Sequence, residues 1–185
     1  METATLETKV LDAAEALFYG RGLQTVGMDQ IRSASGVSLK RLYQLFPSKD
    51  TLVLAYLHRR DERWRAELTR QVAAVTEAPR ERILAVYDWL DRWFREPDFR
   101  GCAFVNSFGE LGAASEPVAE AARAHKAAFR DWLSDLVAAA GLPEHLTDQL
   151  FLLAEGAITT AAVSGGPEPA RQAREAARAL MDAAG

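Results

Sequence analysis

The side chains of this chain that could do chemistry fall into two sets. The first is compact: Ser38, Lys40, Arg41, Gln44 and Lys49 crowd into twelve residues. A guanidinium or ammonium offers donors that match the O6/N7 acceptors of guanine, and a primary amide pairs with adenine. The second set is scattered: Cys102, Asn106, Glu110, His125 and Glu155. His125 has no second His or Cys at ligand spacing, so the sequence predicts no metal site. A catalytic reading would rest on a pocket holding His125, Glu110 and Glu155. No nucleophile elbow, phosphate loop or metal cluster accompanies them, and no cofactor is expected.

Charge and composition narrow the setting. The chain has 185 residues, a net charge of −4 and 49% hydrophobic residues, which suits one mid-sized or two small globular domains and excludes a disordered chain. The uncharged run from Gly156 to Pro167 is twelve residues long, short of the roughly 18 a spanning helix needs. The N-terminal residues show no basic region followed by an apolar one, so a cytoplasmic protein is expected. The single Cys102 permits no intrachain disulfide. The net charge also hides an asymmetry: residues 1–60 hold eight Lys/Arg against six Asp/Glu, and the remainder fourteen against twenty. Lys40, Arg41 and Lys49 make any anion-binding surface centre on that stretch.

The elements that must position these residues all read as helices. Val10, Ala13, Ala14, Leu17 and Phe18 form an amphipathic stripe closed by Gly22. A short second helix, carrying Ile31 and Ala34 inward, runs from near Gly27 to Gly36. Ser38 then caps a third that ends before Pro47. A long fourth helix spans Lys49 to about Val75, a fifth starts at Pro79 and closes at Glu96-Pro97-Asp98, and a sixth covers Cys102 to Leu111. The seventh carries the stripe Val118 to Ala140, and two more fit at 146–163 and 168–183. No strand-like alternation, repeat or low-complexity linker interrupts them, so the expectation is an all-α fold of about nine helices.

Helix, glycine-containing turn and short helix, backed by a preceding helix, is an arrangement that lays one helix in the DNA major groove; it also serves as plain scaffolding in helical proteins. The residues Val10 to Phe18, Gly22, Met28 to Ile31, Ser35-Gly36-Val37-Ser38 and Leu42 to Lys49 strongly resemble the DNA-binding domain of the tetracycline-repressor (TetR) family over about residues 6–57. The resemblance implies a three-helix DNA-binding domain at 1–57 and a helical-bundle ligand-binding and dimerisation domain at 58–185. It further implies a homodimeric, ligand-responsive transcription factor, usually a repressor, bound to an operator in double-stranded DNA. On that reading Thr25, Gly27 and Ser38 serve phosphates at helix N-termini. Lys40, Arg41 and Gln44 read base edges. Leu39 touches a thymine methyl or packs the helix entry, and Tyr43 and Lys49 resemble the family's backbone contacts. Gly27 stands where the family often has Ser or Thr, and Leu45 where it frequently has His.

The C-terminal two thirds carry many aromatic residues, and a cavity lined by aromatics with a few polar groups is a usual ligand site. The candidates are Trp89, Trp93, Phe104, Asn106, Phe108, Glu110, His125, Phe129, Trp132 and Glu155, with core packing the competing use of each ring. The penultimate helix is apolar nearly all round and must be covered on every side. With the last helix it suits a four-helix dimer interface through Phe151, Gly156, Ala157, Thr160, Ala161, Ala173, Ala177 and Leu180, a pairing the family resembles. Besides the enzyme, a third reading makes Cys102 a redox trigger, its pKa lowered by Arg100.

Overall fold

The computed structural model describes residues 2–75 and 77–184. Among them the chain forms nine helices and no strand: α1 (Glu2–Arg21), α2 (Met28–Ser35), α3 (Leu39–Leu45), α4 (Lys49–Val75), α5 (Pro79–Phe94), α6 (Ala103–Leu111), α7 (Glu116–Ala139), α8 (Leu146–Ser164) and α9 (Glu168–Ala184). The turns are set by residues that cannot continue a helix. Gly22 and Gly36 take positive φ of 89° and 68°, where a side chain would be strained. Pro47 follows Phe46, which is extended at φ −132°, as the clash of a proline ring with helical backbone requires.

Two compact units result: residues 1–62 with 103–123, and residues 63–102 with 124–185. The first unit is built on Val10, Ala14, Phe18, Ile31, Leu42, Leu52, Val53 and Tyr56, all nearly inaccessible. α1 packs on α2 and α2 on α3. Ala34, expected to face inward, is exposed: with α2 only eight residues long, Ile31 alone fills its inward position. α1 is fastened to the start of α4 by charge. Arg59 reaches Asp12 and Glu15 at 2.9 Å each, Arg60 reaches Glu15 at 2.9 Å, and the Arg60 guanidinium lies 4.0 Å over the Tyr19 ring.

In the second unit α8 packs on α9 and both pack on α5. α5 is sealed from Ile83 to Tyr87 and again at Trp89, Leu90, Trp93 and Phe94, and the Tyr87 hydroxyl donates to the Leu150 carbonyl at 2.8 Å. α8 differs from its sequence expectation. Leu150, Ala154, Ala157, Ile158 and Ala161 form one buried face, while Leu152, Gly156, Thr159, Thr160 and Val163 are exposed. Ala157, Ala161, Ala173 and Ala177 are therefore buried within one protomer. Small side chains let helices approach closely, and here that closeness serves the protomer's own α5, α8 and α9.

Candidate nucleic-acid interface

α3 is positioned from below. Leu42 is fully buried and Phe46 is 5% exposed, anchoring one side of the helix in the first unit. The Gly36 N–H bonds to the Arg32 carbonyl at 3.0 Å, turning the chain from α2 to α3, and Ser38 Oγ accepts the Arg41 N–H at 3.3 Å. The opposite side is open: Lys40 and Gln44 are exposed, Arg41 is half-buried, and Leu39 and Tyr43 are 39% and 45% exposed. Two apolar or aromatic side chains thus stand in solvent beside a cation and an amide, a mixture that a purely structural helix face does not need. Arg41 Nη1 donates to Gln44 Oε1 at 3.2 Å, so the guanidinium and the amide orient each other.

The flanks divide by the hydrogens they can offer. Ser48 and Thr51 cap α4 reciprocally, Thr51 N–H to Ser48 Oγ at 3.1 Å and Ser48 N–H to Thr51 Oγ1 at 3.0 Å, which fixes Lys49 in the first turn. Gln30 Oε1 accepts the Gly27 N–H at 2.8 Å, so that N–H, expected to serve a phosphate, is already taken within the chain. Thr25 is reassigned: its hydroxyl donates to Arg21 O at 2.7 Å, and one hydroxyl hydrogen cannot also serve a phosphate. Ser38 acts as an acceptor in its bond, which leaves its hydrogen available to a phosphate oxygen.

Glu110 is not part of an aromatic pocket wall. Its Oε1 and Oε2 accept the N–H groups of Leu23 and Gln24 at 3.0 and 2.9 Å, and Gln24 Nε2 donates to Glu110 O at 2.6 Å. A carboxylate on α6 therefore closes the turn between α1 and α2. The other α6 candidates also lie in the first unit: Phe104 is buried, and Asn106 and Phe108 are exposed.

The second unit gathers the remaining aromatic candidates around a residue the sequence reading passed over. Trp64 sits edge-on to Trp89 (5.2 Å), Phe129 (5.2 Å) and His125 (5.1 Å), with Trp93 at 6.0 Å. The available signal was a lone tryptophan inside the charged run Arg59 to Arg65. A shallow recess of about 40 Å³, partly open to solvent, is lined by Trp64, Arg65, Leu68, Thr69, Phe129 and Trp132. Glu155 faces Lys126 at 2.6 Å, and Lys126 also lies 3.3 Å from Cys102 Sγ. Arg100, expected beside Cys102, donates to its neighbour Phe99 O at 2.9 Å. Among the described residues no group of His, Cys, Asp and Glu is arranged to hold a metal, and no helix is long and apolar enough to cross a membrane.

Two short helices joined by a glycine turn, backed by α1 and presenting the outer face of α3, constitute a helix-turn-helix. Residues 10–56 match the profile of the tetR family of bacterial regulatory proteins. A solved TetR-family transcriptional regulator from Streptomyces coelicolor superposes with a TM-score of 0.89 at 29% identity, over 98% of this chain and 96% of that one. The chain is thus similar to tetR-family regulators in sequence over residues 10–56 and in fold over nearly its whole length. It is also 35% identical over 120 residues to an HTH-type transcriptional regulator of Mycobacterium tuberculosis, covering 63% of this chain and 59% of that protein. It is 36% identical over 98 residues to the HTH-type transcriptional activator FasR of Mycolicibacterium smegmatis, covering 52% and 43%. These matches span less than two thirds of either relative.

Proposed function

We propose that the protein is a DNA-binding transcriptional regulator, a homodimeric repressor that releases a pseudo-palindromic operator when its second unit takes up a small molecule. The observation that carries the DNA reading is the outer face of α3, where Leu39, Lys40, Tyr43 and Gln44 are exposed around the half-buried Arg41 while Leu42 holds the helix to the core. Arg41 and Gln44 read base edges as a coupled pair. Lys40 contributes at the same groove, and Tyr43, Lys49 and Ser38 hold the phosphate backbone on either side. Two copies of α3 would lie one DNA turn apart, about 34 Å, or a multiple of it.

The exposed side of α8, with Leu152, Gly156, Thr160 and Val163, supports the dimer reading: Val163 is 86% and Leu152 66% exposed, and large apolar side chains left in water call for a cover. Phe151 and Leu180, half-buried in the protomer, border it. The recess beside Trp64, Phe129 and Trp132 is the place we assign to an effector, and at about 40 Å³ it must widen to admit one. Linkage requires operator and effector to weaken each other by the same factor. Selection of duplexes from a random pool, followed by a screen for compounds that release the winner, tests the reading. Recovery of one palindromic sequence supports it, and a pool unchanged by selection contradicts it.

A further inference from the structure

Leu39 is the first residue of α3 and is 39% exposed. Closing the entry of the helix does not require it, because Val37 on the incoming turn is 5% exposed and Leu42 is fully buried. Single exposed leucines are ordinary on protein surfaces, and this one is set apart by its neighbours. At about 100° per residue, positions follow one another around α3 in the order Leu39, Tyr43, Lys40, Gln44 and Arg41, with Leu42 on the side turned to the core. The first four are exposed and Arg41 is half-buried at the margin. The outer face therefore has two sides. On the polar side Arg41 Nη1 donates to Gln44 Oε1 at 3.2 Å, and the apolar side is made by Leu39 and, one turn later, the ring of Tyr43.

A leucine side chain has neither donor nor acceptor. Set against N7, O6 or an exocyclic amino group it would displace their water and return no hydrogen bond. The 5-methyl of thymine is the base-edge group in the major groove that an aliphatic side chain can meet without that cost. From the pairing of an apolar margin with a hydrogen-bonded amide and guanidinium we infer that Leu39 is a specificity-determining residue, packing on one thymine 5-methyl in each half-site. The assignment rests on α3 being the reading helix, and it adds a T·A pair beside the bases met by Arg41 and Gln44. Tyr43, its hydroxyl on phosphate, shields the contact from water with its ring. Burial of one methyl group corresponds to about fourfold in affinity, so the contact sets preference at one position and supplies little of the total binding.

The test uses the full chain and the duplex recovered by selection from a random pool, with each thymine in turn replaced by deoxyuridine. That exchange deletes the methyl and keeps the base pair. The expected result is one thymine in each half-site whose replacement weakens binding about fourfold, a loss that Leu39→Ala abolishes. Selection repeated with Leu39→Gln should change the preferred base at that position toward adenine, and at no other. A selected duplex in which no thymine responds to the exchange overturns the role of Leu39. So does a response of equal size in wild type and Leu39→Ala, and in both cases α3 remains the reading helix. A pool unchanged by selection removes the reading helix itself, and the role of Leu39 with it.

Discussion

Glu110 of α6 holds the backbone N–H of Leu23 at 3.0 Å through Oε1, while Oε2 holds that of Gln24 at 2.9 Å. One carboxylate thereby satisfies two amides in the turn that leads into α2. Glu110→Ala leaves both without their acceptor, one of them partly buried, and should cost about 1–3 kcal/mol. Thermal unfolding should show the loss, and duplex affinity should fall equally on selected and random sequences, because the change moves the reading head as a body. A stable variant with altered base preference would refute this role.

Gly36 has φ 68°, and a Cβ built on it would meet nothing within 4 Å. Gly36→Ala therefore carries a conformational cost alone, about 1–2 kcal/mol, readable as a lowered denaturant midpoint with an unchanged m-value. An alanine variant as stable as wild type would mean the turn between α2 and α3 is not formed in this way.

Gly156 is exposed, and its Cβ position is likewise open. Gly156→Leu should leave the protomer folded and favour its helix by about 0.7–1 kcal/mol. If the open face of α8 is the dimer interface, sedimentation will show the protomer mass and operator binding will fall with it. A dimeric variant with full binding contradicts the interface.

Tyr87 is buried, and burial holds its hydroxyl pKa well above the ordinary tyrosine value. The folded state keeps the proton that the unfolded chain loses near pH 10. The stability tied to that proton is complete below about pH 10 and declines as the pH rises toward the folded-state value. Tyr87→Phe should cost about 1 kcal/mol at neutral pH through the lost bond to the Leu150 carbonyl, and should flatten this alkaline decline in chemical denaturation. An equally steep decline in the variant would assign it to other groups.

What could be read from the sequence alone follows the range of each interaction. Periodicity and punctuation act within a few residues, so Gly22, Gly36, Ser38 and Pro47 marked the boundaries of α1 to α3 closely. α1 extends back to Glu2, a stretch without a strong apolar stripe. The partners of Glu110 and Lys126 were not legible, because Glu110 meets Leu23 across 87 positions and Lys126 meets Glu155 across 29. Trp64 was hidden for a related reason: the charged side chains around it read as a solvated face, and only tertiary packing shows its ring among Trp89, His125 and Phe129. For α8 the composition was informative and the geometry was not, since a nearly all-apolar helix gives no phase to say which side its own chain covers.

The central claim is that the outer face of α3 reads base edges while its flanks hold phosphate. A binding titration at several salt concentrations, on a selected duplex and on a random one, separates the two. Lys49→Ala should weaken both duplexes alike and reduce the salt slope by about one. Arg41→Ala and Gln44→Ala should each remove about 1–3 kcal/mol from the selected duplex only, and the double variant should lose less than the sum, because Arg41 and Gln44 are hydrogen-bonded to each other. Equal losses on both duplexes for all three variants would contradict the assignment of α3 as the reading helix.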